Sequence, residues 1–344
     1  MNKKLIAAAI GAAVVAAPAA FADATVYGKM HTSVNMNDSS VANSDNYTVT
    51  SNASRLGFKG SEDLGNGLKA VYQIEFGISS DGGPAQTNPN TGPRTPVDNH
   101  RNTFVGLAGD WGTVVVGRHD TPAKIAFYAT GNEVLGDSIM DLNSGVAGVF
   151  TEVRASNAIA YVSPSFSGFT MAAAVVPGEE SVAANGANAA DGISDHYSVG
   201  LMYSGFGLKA GIGYENLHEQ ALGGTGDDQE MLQAGASYTF NNFSVGAQYE
   251  SDDNRGAVTG AEYEAWALTA KAKFGNNAVS AIYTTSESKN AVGATTSDTD
   301  GWGLAAEHNF SKRTKVYVAY ATEEDDLVAA GTAHAVSIGM IHDF

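Results

Sequence analysis

The sequence predicts an all-β fold, a transmembrane barrel of 16 antiparallel strands, and three observations carry that prediction. The first is the carboxyl end, which alternates without a break from Ala333 to Phe344. Val336, Ile338, Met340, His342 and Phe344 share one face, and Ser337, Gly339, Ile341 and Asp343 share the other. Free ends fray, whereas a closed sheet needs a complete last strand that pairs with the first and leaves no edge. The second is an export leader at the amino end. The third is a regular alternation of short and long connections. The last strand of a soluble sandwich accounts for the first observation but for neither of the others.

Residues 1–22 read as a cleavable signal peptide. Lys3 and Lys4 supply the positive start, Leu5 to Ala17 the apolar run, and Ala20-Phe21-Ala22 the small-x-small cleavage pattern that leaves Asp23 first. A membrane anchor fits less well, because the run is short and broken by Gly11 and Pro18.

The remaining chain of about 320 residues contains no cysteine, which excludes thiol catalysis, Cys-ligated zinc and iron–sulfur clusters. Losing Lys3 and Lys4 leaves 17 basic against 37 acidic residues, a net charge near −20 that argues against nucleic acid as a partner. No stretch approaches the apolar length of a membrane helix. With 40 Gly, 14 Tyr, 14 Phe and only 8 Pro, the composition suits a barrel whose period-2 signal is invisible to hydropathy.

Alternation places strands at 24–36, 52–63, 67–78, 99–109, 112–120, 155–164, 168–178 and 194–204, then at 207–217, 229–240, 243–251, 263–274, 278–288, 300–310, 314–324 and 333–344. The number is even, as a barrel with both termini on one side requires. Tight Gly- and Asn-rich turns such as Leu64-Gly65-Asn66-Gly67 and Asn241-Asn242 suit positive φ. They alternate with long acidic connections at 37–51, 79–98, 179–193, 218–228, 252–262, 289–299 and 325–332. Short turns facing the periplasm and long loops facing outward are the pattern of outer-membrane barrels. Single strands are two-faced as well. Leu68, Ala70, Tyr72, Ile74 and Phe76 oppose Lys69, Gln73 and Glu75, and Leu56 and Phe58 oppose Arg55 and Lys59.

These residues form a familiar set. Ser54-Arg55-Leu56-Gly57-Phe58-Lys59-Gly60-Ser61-Glu62-Asp63-Leu64-Gly65-Asn66-Gly67 resembles the first hairpin of the Gram-negative general porins. Phe104-Val105-Gly106-Leu107 with Trp111-Gly112-Thr113-Val114-Val115-Val116-Gly117-Arg118 resembles that family's fourth and fifth strands, and Ala158 to Phe169 its sixth and seventh. The tail ending in Met340, His342 and Phe344 resembles its terminal assembly signal. The resemblance implies an outer-membrane channel for passive diffusion of ions and small hydrophilic solutes. It implies a homotrimer of barrels, each with a long inward-folded third loop. It also implies contact with outer-membrane lipid and lipopolysaccharide, and recognition by the barrel assembly machinery. A substrate-selective channel on the same barrel, or a non-conducting adhesive barrel, remains the alternative.

The third loop departs from the rhythm. Between Arg118 and Arg154 it carries Ile125, Phe127, Tyr128, Leu135, Ile139, Met140, Leu142 and Phe150, enough bulky apolar surface to pack against the barrel interior rather than cap it from outside. Folded inward, it brings Glu133, Asp137 and Asp141 opposite Arg55, Lys59, Arg101 and Arg118, a transverse field across a narrow aqueous gap. Lys124 and Arg154 are expected to fix the loop's ends. External acidic loops and an arginine row at the narrowest point pull in opposite directions, leaving a slight cation preference at low salt. The Pro-Glu-Phe-Gly-Gly motif of enteric porins is absent from the loop.

No catalytic or cofactor motif is present. The eight histidines are scattered, without H-x-x-H, H-E-x-x-H or a G-x-S-x-G elbow. Asp227-Asp228 and Glu323-Glu324-Asp325-Asp326 lack Ca²⁺-loop spacing and read as solvated loops, so no metal is expected. Tyr27, Tyr47, Tyr203, Tyr214, Tyr238, Tyr249, Tyr263, Trp302 and Tyr317 are expected in interfacial girdles.

Overall fold

The computed structural model describes residues 24–40, 45–81, 97–178, 192–218, 226–327 and 331–344. The leader at 1–22 lies outside the described residues, as do parts of several long connections. The strands are β1 (Thr25–Ser39), β2 (Asn46–Ser51), β3 (Arg55–Gly65), β4 (Leu68–Ile78), β5 (Val97–Gly109), β6 (Gly112–Asp120), β7 (Arg154–Val162), β8 (Phe169–Val176) and β9 (His196–Gly205). They continue with β10 (Leu208–Leu217), β11 (Gln229–Phe240), β12 (Phe243–Asp253), β13 (Glu262–Phe274), β14 (Asn277–Lys289), β15 (Thr295–Asn309), β16 (Thr314–Asp325) and β17 (Gly331–Asp343). Consecutive strands pair antiparallel, β2 and β3 excepted, and β1 pairs with β17 from Lys29↔Asp343 to Ser39↔Ala333, which closes the cylinder.

These segments make a closed 16-stranded barrel, because β2 and β3 occupy one position. Both pair with β1, β3 over Thr25–Lys29 and β2 over Thr32–Asn37. Between them Met30 and His31 face Asn52, Ala53 and Ser54, so one residue is surplus, and Ala53 takes it up at φ 49°. This is a β-bulge. Ser54 Oγ fills the gap in the ladder, accepting from His31 N at 2.9 Å and donating to His31 O at 3.1 Å. The strand expected at 52–63 therefore begins at Asn46, inside what reads as a loop. Its Thr- and Val-containing run suits a strand, but it lacks a clear apolar face.

The wall is inverted relative to a soluble protein. Val105, Leu268 and Ile338 are 61%, 59% and 63% exposed on its outer surface. Ser33, Ser198, Gln233, Gln248, Thr284 and Ser337 are buried inside. An apolar exterior around a polar interior is stable only in lipid. Outward aromatic pairs such as Tyr249–Trp266 and Trp302–Tyr320, with ring centroids 4.4 and 5.1 Å apart, suit the interface. Tyr27, Tyr263 and Tyr317 are corrections to the girdle expectation. Tyr27 lines the central cavity, and Tyr263 and Tyr317 are buried against the third loop.

Candidate constriction

The third connection, between β6 and β7, runs through the barrel interior. It opens with helix α1 (Pro122–Ala129). Thr121 caps the helix, its Oγ1 accepting from Lys124 N, and Pro122 supplies the preset φ of a first turn. The helix lies on the inner wall because the wall is bare there. A Cβ on Gly200 would meet Pro122 O, one on Gly211 would collide with Ala126 O, and one on Gly213 would lie 2.5 Å from Ala123 Cα. Ser198 Oγ then accepts from Ala123 N at 3.0 Å, satisfying a donor the first helical turn leaves free.

Beyond the helix, polar groups tie the loop to the wall. Asn132 Nδ2 of the loop donates to Ala247 O of β12 at 2.8 Å, and Thr284 Oγ1 of β14 donates to Ala147 O of the loop at 2.9 Å. Glu250 receives Thr151 N at 2.7 Å and Thr151 Oγ1 at 2.6 Å, and Tyr263 Oη donates to Val149 O. Phe127, Leu135, Ile139, Met140, Leu142 and Phe150 pack with Ala265, Ile282, Tyr317, Ala319 and Ile341 of the wall. Buried loop carbonyls and amides need such partners, and the apolar contacts supply the driving force. The long inward-folded third loop is thus sealed to one side of the bore.

The space left on the other side is a cavity of about 820 Å³ lined by β1, β3, β4, β5 and the loop. Of the expected residues, Arg55, Lys59, Arg101, Glu133, Asp137 and Asp141 all line it. Asp137 reaches to β1 and β3, 2.7 Å from Lys29 Nζ and 3.9 Å from Arg55 Nη2. Arg101 pairs with Glu75 at 2.6 Å, and Glu75 also receives Tyr27 Oη at 2.9 Å. Lys59 stands over the Tyr27 ring, 4.8 Å from its centroid. Lys124 lies 2.9 Å from Glu152 and 3.3 Å from Asp120, and Arg154 lies 2.9 Å from Asp120, so two of these ion pairs, Lys124–Glu152 and Arg154–Asp120, join the two ends of the loop.

Arg118 is not in this group. Its Nε donates to His100 O at 2.9 Å and its Nη1 to Ser156 Oγ at 2.7 Å, away from the cavity. Arg118 follows the exposed Val116 in the β6 alternation, and the bulge opposite it, at Asn157 of β7 with φ 57°, leaves that parity unchanged. A bulge in β5 does change parity. In β5 the register shifts between Ile74 and Phe76, so Arg101 and Asn102 both face the lumen opposite Glu75. Asp141 lines the cavity, but its oxygens face the loop itself. Asp137 N reaches it at 2.6 Å, Asn143 N at 2.9 Å and Ser144 N at 2.8 Å, so it organises the turn. Lys29 and Glu75 were not among the expected constriction residues. The β1 alternation that turns Tyr27 inward also carries Lys29, and Glu75 shares a face with Lys69 and Gln73.

The loop carboxylates differ in their protonation. Burial raises Asp137, but Lys29 and Arg55 outweigh it and hold the carboxyl below its usual range. Burial pushes Glu133 well above the usual range, and the neighbouring Asp141 and Glu152 add to the push. The folded protein therefore holds a proton on Glu133 at pH values where an unfolded chain has lost it. As pH rises through the elevated Glu133 value, a new negative charge enters the bore and that contribution to loop stability is lost. Reversal potential in a KCl gradient is expected to drift toward cations over that rise. Glu133→Gln is expected to abolish the drift, and an unchanged drift in that variant would refute the assignment.

Comparison with known proteins gives a consistent result. A family model described as Gram-negative porin matches residues 7–327. The major outer membrane protein P.IB of Neisseria gonorrhoeae is 31% identical, over 92% of this chain and 92% of its own length. Outer membrane porin protein 32 of Delftia acidovorans is 30% identical over 70% of this chain and 66% of its own length. Among solved structures, an anion-selective porin from Comamonas acidovorans superposes with TM-score 0.72 at 22% identity, covering 94% of this chain and all of the other (100%). Salmonella typhi OmpF superposes with TM-score 0.71 at 18% identity, covering 94% and 98%. At those identities the structural likeness shows the fold.

Proposed function

Since this chain belongs to the Gram-negative porin family and forms a water-filled channel for passive diffusion, we propose that its eyelet is the gap between the sealed third loop and the cationic wall of β1, β3 and β5. The observation that carries the reading is Asp137, which crosses from the loop to Lys29 and Arg55 while the loop's apolar side is fixed to the opposite wall. Arg55, Lys59 and Arg101 then face Glu133 and Asp137 across the path. A polar solute reorients in that field, whereas an apolar one must displace ordered water. Because most of these charges are paired, ion selectivity at the eyelet is weak.

The protein sits in the outer membrane as its family does. In our reading its leader is removed after Ala22. It assembles as a homotrimer among lipid and lipopolysaccharide, and Met340, His342 and Phe344 form the terminal signal read by the assembly machinery. A Vibrio cholerae OmpT structure with TM-score 0.65 is described as a trimer form, which supports that assembly.

The test is single-channel recording in a KCl gradient. Arg55→Gln leaves Asp137 less compensated and is expected to move the reversal potential toward cations, while Arg118→Gln leaves it unchanged. If Arg55→Gln alters neither conductance nor reversal potential, the eyelet assignment fails. Solute flux is expected to rise linearly with concentration, and saturation would favour a substrate-selective channel instead.

A further inference from the structure

Below the third loop, at the end of the barrel that carries the tight turns, lies a second cavity of about 660 Å³. The loop residues Gly131, Glu133 and Val134 bound it on one side, and β10–β16 with their tight turns form the rest. Five lysines line it: Lys209, Lys271, Lys273, Lys312 and Lys315. We propose that this vestibule is a docking site for compact oxyanions bearing two or more negative charges, entered from the turn side of the barrel. The proposal rests on the channel reading and adds a site and a direction to it.

The two cavities differ in how their cations are compensated. In the eyelet Lys29, Arg55, Arg101, Lys124 and Arg154 each have a carboxylate within 4.0 Å. In the vestibule Glu307 is shared by Lys271 and Lys315, so its charge is spent. Lys271 Nζ also donates to Val134 O at 2.8 Å, which fixes it to the loop. Lys209, Lys273 and Lys312 have no ion-pair partner among the described residues. Alternation turns Lys209 and Lys273 inward: Lys209 shares the face of the buried Gly211, and Lys273 that of the buried Thr269. Lys312 sits in the turn before β16. Lys273 and Lys312 are exposed to the water of the vestibule, and like charges gathered in a concave site with low-dielectric walls focus their field on an anion more than the same groups on an open surface. Lysine acts there as a mobile point charge, which suits a small multivalent ion better than a planar monocarboxylate.

The long connections lie at the other end of the barrel, beyond the eyelet. The acidic recess there is no part of the path, since Asp253, Glu262, Glu264 and Glu287 share the outward face of Trp266 and Asp252 is paired with Arg255. An anion arriving from that side must pass the narrow eyelet before it reaches the lysines. An anion arriving from the turn side meets the lysines directly. Docking is therefore one-sided.

The experiment records KCl currents through single channels while inorganic pyrophosphate is added to one compartment at a time. The chain has no cysteine, so Val292→Cys, 86% exposed in the β14–β15 connection, takes a biotin label that reports which compartment the long loops face. Pyrophosphate on the turn side is expected to halve the current at about one tenth of the concentration needed from the loop side. Lys209→Gln/Lys273→Gln/Lys312→Gln is expected to erase the difference, and the corresponding triple Arg variant to keep it. Equal block from both sides of the parent channel overturns the proposal without any variant. Undiminished one-sided block in the Gln variant overturns it as well. A parent that conducts no KCl at all refutes the channel reading, which is a separate failure.

Discussion

Deleting Phe344 is expected to lower the amount of folded protein in the outer membrane by about tenfold or more, with the remainder unfolded in the periplasm. Phe344 N donates to Gly28 O and Gly28 N donates to Phe344 O, both at 3.0 Å, so the last residue makes the final hydrogen-bonded pair of the seam. Its ring lies where a Cβ on Gly28 would be and stacks beside His342, with centroids 6.4 Å apart. Removing it frees two backbone groups at the junction of first and last strands and strips an exposed aromatic from the outer face. Heat-modifiable mobility on a semi-native gel measures the folded fraction. Normal yield of the deleted chain would count against a role for this residue in assembly.

The second large effect lies in the helix seat. Gly211→Val with Gly213→Val puts side chains where Ala126 O and Ala123 Cα now lie. Overpacking of that kind displaces one partner. The wall strand keeps both its neighbours and gains β-branched residues, so the helix is the part that moves. Conductance is expected to rise about twofold while the barrel remains folded, because the widened bore is still enclosed by the unaltered sheet. Ile212→Val, on the lipid side of the same strand, is the control. An unchanged conductance in the double variant would mean that the loop does not narrow the path.

Most of the barrel was legible because its signal is repeated many times. A strand that must be apolar toward lipid and polar toward water cannot hide its period, and most tight turns carry a Gly or Asn where φ is positive, as at Asn66 and Asn241. Bulges obey no such repeat. The surplus residue at Ala53 split one strand in two, and nothing in Asn52-Ala53-Ser54 marks it. Parity explains the constriction in the same way. Arg55 and Lys59 follow their strand's alternation and reach the lumen, and Arg101 reaches it through a bulge. Arg118 could have been excluded from its step with Val116 alone. The role of Asp141 was not legible, since its oxygens are taken by amides of its own loop, a matter of local turn geometry. The glycine-bare seat at Gly200, Gly211 and Gly213 is visible in sequence only as glycine in strands, which also marks bends and bulges.

Closure of β1 on β17 also determines how the molecule comes into being. Ser40 Oγ donates to Thr332 O at 2.9 Å across 292 positions of chain, and the whole seam is built from contacts of that separation. Loop-closure entropy must be met before such contacts repay it, so the seam is the slow event of folding. Hairpins along the wall form locally and early, whereas the two ends meet only when nearly every intervening strand is in place. Until then each half-built sheet has two open margins that invite pairing with another chain. Refolding is therefore expected to be slow, cooperative at its last stage and most exposed to aggregation just before the ends meet.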